Sequence, residues 1–287
     1  MPLTAMAIQI LEVLAALLCV FVVGAQLLLD LLFEEPRAKR ISSLAKHLSA
    51  QSILGVFAHP DDEIHAAGTL AEASSRDGVT VWTITATRGE AKCDIPKPVC
   101  RPEDLPLIRH AELLKHGFVL GIDHQEVWSY ADRQLEHQID ALILELVGRI
   151  RTLQPELLLT FDPASGYSWH PDHKAIGRAT TEAFRLANLP AFHPELGFPH
   201  QPKWLVYILV PRRVMNFFGG KSGRQVAQYQ VEAQYAVPIA RSLKTRGWRI
   251  HESQYSSIRQ DWHVPLWFLY FFFDKEHYFV QAAENPR

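Results

Sequence analysis

The sequence predicts an α/β protein of the Rossmann-like, doubly wound kind, a mostly parallel sheet with helices on both faces, preceded by an N-terminal transmembrane helix. Three observations carry this. Short apolar runs that read as buried strands alternate with longer helical segments, the pattern of βαβ units. Of the 287 residues, roughly 245 lie beyond an atypical N-terminal stretch, enough for one large domain. Within that stretch Val13 to Leu29 carries no charge.

Gln26 is the only strongly polar side chain of this first element. At 1.5 Å rise per residue the run covers about 26 Å, near the lower limit for a bilayer, and Ile8, Ile10, Leu11, Leu31, Leu32 and Phe33 can extend it. A cleaved signal peptide ordinarily opens with Lys or Arg, and none precedes the run. Apolar residues on every face weaken the reading as a helix packed into the main domain. A membrane anchor is therefore expected, with a signal peptide and a buried helix as the alternatives. Arg37, Lys39, Arg40 and Lys46 follow the run, so the positive-inside bias places the rest of a single-pass chain on the cytoplasmic side. The expected layout is an anchor at 1–34, a polar linker at 35–50 and one domain at 51–287.

Ile53-Leu54-Gly55-Val56-Phe57 is short, apolar and closed soon after by a proline, so it reads as a buried strand. Residues 64–76 have helical character and stop at Asp77-Gly78. Val79 to Thr85 is β-branched and predicts a second strand. A loop runs to about 104, followed by a helix from Leu105 to His116 stopped by Gly117. Val127 to Tyr130 suits a short strand, and Gln134 to Leu153 a long helix ending before Pro155. Glu156 to Phe161 is a third buried strand, Asp172 to Leu186 a helix, and Trp204 to Val210 a later strand.

Lys and Arg number 29 against 31 Asp and Glu. That balance argues against a nucleic-acid partner, which would need a basic surface. The three cysteines do not support a disulfide-built secreted fold. Cys93 and Cys100 flank a proline-containing loop whose spacing is unlike usual zinc sites, leaving two loop thiols or a local disulfide.

Two segments concentrate chemistry. Ala58-His59-Pro60-Asp61-Asp62-Glu63 follows the first buried strand directly, and His170-Pro171-Asp172-His173 lies shortly beyond the third. Ligands of doubly wound sheets bind outside the carboxyl ends of strands, where both segments fall. Each offers candidate metal ligands three apart, His59 with Asp62 and His170 with His173. Two imidazoles and a carboxylate with one open position form a common catalytic zinc set. The same spacing occurs by chance at His137 and Asp140, inside a predicted helix, and Asp or His before a helix often serves only as a cap.

The wording of these segments resembles the LmbE-like family, which includes N-acetylglucosaminyl-phosphatidylinositol de-N-acetylase (PIG-L). Thr87-Arg88-Gly89-Glu90, Arg109 with Glu112, Tyr130-Ala131-Asp132, and Thr160-Phe161-Asp162-Pro163 leading to His170 fit it in order. The resemblance covers about residues 51–186, and the Cys93–Cys100 loop looks like an insertion. It implies zinc, or another divalent ion, held by His59, Asp62 and His173. It further implies Asp61 as general base, His170 as acid or oxyanion stabiliser with Asp172 orienting its ring, and Arg109 and Asp132 as contacts to substrate polar groups. The implied activity is N-deacetylation of an N-acetylated sugar, soluble or lipid-linked.

The chemistry is coherent. An amide is a poor electrophile and neutral water a poor nucleophile, while zinc lowers the pKa of water to about 7 and polarises a carbonyl. Asp61 would take the proton and deliver it to the departing amine. A protonated His170 would stabilise the oxyanion by roughly 3 kcal/mol. Glu63 suits a first-turn dipole role, and His65 receives none. A tethered sugar- or metal-binding protein without turnover is the rival class; it would need neither Asp61 nor His170. Finally, Trp262 to Phe273 is too short to span a bilayer and reads either as an interfacial patch beside membrane lipid or as core packing. Phe217-Phe218-Gly219-Gly220 reads as a lid or a plain loop.

Overall fold

In the computed structural model, which describes residues 3–91, 97–262 and 265–283, the apolar runs become the centre of one eight-stranded sheet. The strands are β1 (Lys39–Arg40), β2 (Ser52–Phe57), β3 (Thr80–Thr87), β4 (His124–Tyr130), β5 (Leu157–Phe161), β6 (Trp204–Leu209), β7 (Tyr235–Pro238) and β8 (Lys275–Ala282). Their order is β1-β7-β8-β6-β5-β2-β3-β4. Neighbours pair in parallel except around β8, which runs antiparallel to β6 and β7. β5 is buried throughout and β2 from Ile53 onward. Strands covered on both faces have no solvent side, which explains their unbroken apolar runs.

Helices Ala67–Asp77, Leu105–Leu120 and Arg241–Ile250 pack together on one side of the sheet, and Ile139–Leu153 with Pro171–Leu186 on the other. Within β4-β3-β2-β5-β6 the chain winds outward from β2 to β4, then returns to β5 on β2's other flank. The loops leaving β2 and β5 therefore diverge, opening a crevice at their carboxyl ends.

Several expectations need correction. The helix beginning at Leu105 runs through Gly117 to Leu120 and stops at Gly121, whose φ of 75° suits glycine. Gly117 is an interior packing position: a Cβ there would lie 2.1 Å from Gln125 Oε1. Residues 35–50 are not a linker, because they contribute β1 and the helix Leu44–Leu48, with Leu44 and Ala45 buried. Phe217 to Gly220 joins helix Arg212–Phe218 to helix Gly220–Tyr229. The aromatic run contains the helix Leu266–Phe272, which buries Leu266, Leu269, Tyr270 and Phe272; His263 and Val264 lie outside the described residues, as does Cys93.

The chain divides into two units, Met1–Glu34 and Glu35–Arg287. The first is the helix Leu3–Phe33. Its segment Ile8–Phe33 has a mean hydropathy of 2.5 and is long and apolar enough to cross a membrane.

Candidate active site

The turn after β2 is built around Asp62. Its Oδ2 accepts hydrogen bonds from the backbone N–H of Ala58 at 3.0 Å and His59 at 2.8 Å. The residue before it, Asp61, sits at φ 112°, a region that non-glycine residues seldom enter and that costs about 1–3 kcal/mol. The loop after β5 is pinned by Asp162, which accepts from Ser165 N–H at 3.2 Å and Ser165 Oγ at 2.6 Å. Gly166 follows at φ 59°, where an added Cβ would meet Lys174 N at 2.9 Å. That turn delivers His173, whose ring stacks on Phe161 at 4.5 Å.

The structure brings His59, Asp62 and His173 together. His59 Nδ1 lies 3.2 Å from His173 Nε2 and 3.6 Å from Asp62 Oδ2, and His173 Nε2 lies 3.1 Å from Asp62 Oδ1. Tetrahedral ligands at about 2.1 Å from a divalent ion stand about 3.4 Å apart, so the donor set fits one. The outer ring atoms fix the tautomers. His173 Nδ1 donates to Gly166 O at 3.0 Å, and His59 Nε2 faces Asp132 Oδ1 at 3.1 Å and Asp172 Oδ2 at 3.2 Å. Both facing nitrogens, His59 Nδ1 and His173 Nε2, are thereby left as acceptors for a cation. Burial pushes the pKa of His59 down, but Asp132, Asp172 and Asp62 outweigh it and hold it well above the ordinary value. The field that retains a proton there equally favours a divalent cation.

Asp61 stands beside this set. Burial raises its pKa, partly offset by the Arg109 guanidinium, whose Nη2 lies 3.2 Å from Asp61 Oδ2. Arg109 also donates to Gly89 O at 2.9 Å and to Pro60 O. It is buried, holds Asp61 and at the same time lines the cavity above the site. Asp132, expected on substrate, lines the same cavity and also faces His59 Nε2.

Asp172 departs from expectation too. It accepts from Arg133 N at 2.6 Å and Leu135 N at 3.2 Å while facing His59, not the His170 ring. His170 instead caps the helix Pro171–Leu186, its Nδ1 accepting from Asp172 N at 3.2 Å. Burial and the neighbouring His173 and His59 push its pKa down to about 3. With Nδ1 engaged as an acceptor, Nε2 is the ring atom left to donate.

Two features escaped the sequence. Glu63, expected only to complement a helix dipole, accepts from Asp61 N at 3.0 Å through Oε2 and meets His116 Nδ1 at 2.6 Å and His251 Nε2 at 2.7 Å through Oε1. Those separations are hydrogen-bond lengths, so the buried trio supports the Asp61 turn. Tyr167, held at φ 62°, packs 4.1 Å from the His65 ring. His65 itself lines the site, and burial pushes its pKa down to about 3. A cavity of about 690 Å³ opens above these groups, within the range of small-molecule sites.

Residues 54–184 match the family model described as PIG-L, GlcNAc-PI de-N-acetylase. That stretch is similar to PIG-L/LmbE-like domains. The chain is similar to 1D-myo-inositol 2-acetamido-2-deoxy-alpha-D-glucopyranoside deacetylase of Streptomyces avermitilis, 32% identical over 191 residues, 59% of this chain and 65% of that one. It is also 35% identical over 141 residues to the probable N-acetyl-alpha-D-glucosaminyl L-malate deacetylase 2 of Bacillus anthracis, 48% of this chain and 60% of that one. The chain thus spans less than two thirds of these relatives' length. Among solved structures, the N,N'-diacetylchitobiose deacetylase of Pyrococcus horikoshii shares the fold, with a TM-score of 0.66 and 21% identity over 84% of this chain and 88% of that one. The matched stretch contains His59, Asp61, Asp62, Arg109, Asp132, His170, Asp172 and His173. Later residues, including Met215, Trp248, Tyr270 and Phe273, complete the cavity wall.

Proposed function

We propose that this chain is a metal-dependent N-deacetylase that hydrolyses the acetamide of an N-acetylglucosamine conjugate, releasing acetate and a free amino sugar. The observation that carries the reading is Asp61, strained, clamped and raised in pKa, standing beside a donor set that fits a divalent ion. A binding protein has no use for such a base. The names of the curated relatives, all deacetylases of N-acetylglucosamine derivatives, support the substrate class.

Zinc, or another divalent ion, would be held by His59 Nδ1, Asp62 and His173 Nε2. It supplies Lewis acidity, acidifying water and polarising a carbonyl. Asp61 accepts the proton of the attacking water, and its raised pKa brings it closer to the operating pH, where a general base works best. The same carboxyl then returns the proton to the departing amine. His170, with Nδ1 engaged, offers Nε2–H to the oxygen that gains charge. Arg109 holds Asp61 in one orientation throughout, which limits the entropy lost on approach to the transition state.

The finer reading is a lipid-linked substrate, of the N-acetylglucosaminyl-phosphatidylinositol kind. Ile8–Phe33 acts as a single-pass anchor in it, with the PIG-L-like domain on the cytoplasmic side. The second reading keeps the chemistry but takes a small soluble glycoside, and the inositol and malate glycosides in the names of the relatives above favour it.

Amine release from N-acetylglucosaminyl-phosphatidylinositol, from a soluble N-acetylglucosaminyl inositol and from free N-acetylglucosamine is the test, with metal-loaded wild type and Asp61→Ala. The reading stands if wild type turns over one of them and Asp61→Ala keeps its ion but loses about 10²–10⁴-fold in rate. A preference for the soluble glycoside removes the lipid part. No turnover by an ion-loaded wild type overturns the deacetylase assignment.

A further inference from the structure

We infer that the rim of the cavity is a membrane-contact surface, formed by two short helices that present aromatic side chains among basic ones and dock on anionic lipid. The inference does not depend on the deacetylase reading, since its readout is lipid contact.

Topology places both helices at the same end of the sheet. Helix Arg212–Phe218 begins shortly after β6 ends. Helix Leu266–Phe272 leads into β8, whose start pairs with the end of β6 at Leu209 and His277. Both line the cavity, one through Met215 and Phe218 and the other through Leu269 and Tyr270. Their other faces point away from the protein. Val214 and Met215 turn inward while Phe217 is 74% exposed and Phe218 exposed beside it; Leu266 and Leu269 turn inward while Trp267 is 65% exposed, with Phe268 and Phe271 exposed nearby. An apolar surface of this kind around a cavity mouth marks an interaction site.

Charge identifies the occupant. Residues 212–229 carry Lys221 and Arg224, with Arg212 and Arg213 set against Glu35, and no acidic residue of their own, although the chain as a whole has a net charge of −2. The helix Arg241–Ile250, packed against Leu266–Phe272, carries exposed Arg246 and Arg249 together with Arg241, which pairs with Asp274 at 3.2 Å, and has no acid of its own. The Arg241 guanidinium sits 4.3 Å over the Phe271 ring. Aromatic rings at headgroup depth, flanked by Lys and Arg, are the chemistry of interfacial binding to anionic lipid. The segment Ile8–Phe33, acting as the anchor proposed above, would raise the concentration of such a rim near a bilayer.

The test uses the full chain in nanodiscs of phosphatidylcholine and phosphatidylserine, with Cys19, Cys93 and Cys100 replaced by Ser. A polarity-sensitive fluorophore is attached at Phe217→Cys, Phe268→Cys or a control, Phe198→Cys. Phe198 is 86% exposed in the connection that enters β6, at the opposite end of the sheet. Labels at 217 and 268 are expected to shift blue and to be quenched by brominated lipid several-fold more than the label at 198. Replacing Lys221, Arg224 and Arg249 by Glu should bring them toward the control. Quenching equal to the control, or unaffected by the charge reversal, overturns the inference. A blue shift without lipid quenching would mean that a second copy of the protein covers the patch, and overturns it too.

Discussion

Arg109 Nη2 lies 3.2 Å from Asp61 Oδ2, and the same guanidinium is fixed by Gly89 O and Pro60 O. A buried arginine with so many partners has one orientation, so it transmits that order to Asp61. Arg109→Ala is expected to lower kcat by about a hundredfold, the usual effect of a catalytic group misplaced by an ångström, with ion content unchanged. It also removes the charge that holds Asp61 down, so the Asp61 pKa rises and the acid limb of the pH–rate profile moves to higher pH. Arg109→Lys keeps the charge without the fork, and should restore the limb more than the rate. A profile that stays in place would show that the two residues act separately.

Asp172 and Asp132 bind the outer nitrogen of His59, so their chemistry should appear in metal affinity. Asp172→Ala is expected to weaken ion binding about 10–100-fold, read by competition with a chelator. If Asp172 served the His170 ring instead, affinity would hold and only turnover would fall.

The Glu63 trio predicts a pH-dependent stability. Burial alone would push Glu63 up, but His251 and His116 outweigh it and hold its carboxyl well below the usual range. A depressed carboxylate contributes stability that is present above its unfolded pKa of 4.5 and lost as pH falls. His251 is the converse: burial lowers it, Glu63 raises it further, and its contribution is full below the unfolded value of 6.5 and lost as pH rises. Glu63→Gln should therefore lower Tm most between about pH 5 and 6, with the gap closing toward pH 3. Melting curves of metal-free protein across that range check it, and a gap independent of pH would refute the ion-pair account.

Gly177 lies in helix Pro171–Leu186, and a Cβ there would come 2.5 Å from Phe161 O and 3.1 Å from Pro163 Cα. Ala would add up to about 1 kcal/mol of helix propensity, but forcing helix from strand costs about 1–3 kcal/mol. Gly177→Ala is expected to lower Tm despite its better propensity, and to disturb His173 on the same helix. A raised Tm in a thermal melt would show that the backbone there yields freely.

The central strands and both chemical segments were legible because their signals are local. Ile53 to Phe57 and Leu157 to Phe161 are apolar throughout, as strands buried on both faces must be, and the histidine–proline–aspartate wording follows each within a few residues. The outer strands were not. β1 and β7 are short, and β8, with Lys275, Glu276 and His277 at its start, is polar where it enters the sheet, so none has the continuous apolar run of a central strand. Gly117 read as a stop because glycine commonly ends helices, whereas Gln125 packed against the helix was invisible. The neighbours that Arg109, Asp132 and Asp172 hold were illegible for a related reason. Each is a charged residue near the site, and only distances show which neighbour it holds.

By itself, the sequence determined an alternating α/β chain with an apolar N-terminal helix and four metal-competent side chains, His59, Asp62, His170 and His173, at the ends of two strands. Tertiary structure decided which atoms meet. β2 and β5 lie side by side through Gly55 and Leu159, and that register sets His59 Nδ1 against His173 Nε2 across 114 residues of sequence. It likewise set Asp172 on His59 and gathered Glu63, His116 and His251 beneath Asp61. Contacts between residues so far apart have no periodicity along the chain, since they arise from the winding of the sheet and the packing of its helices.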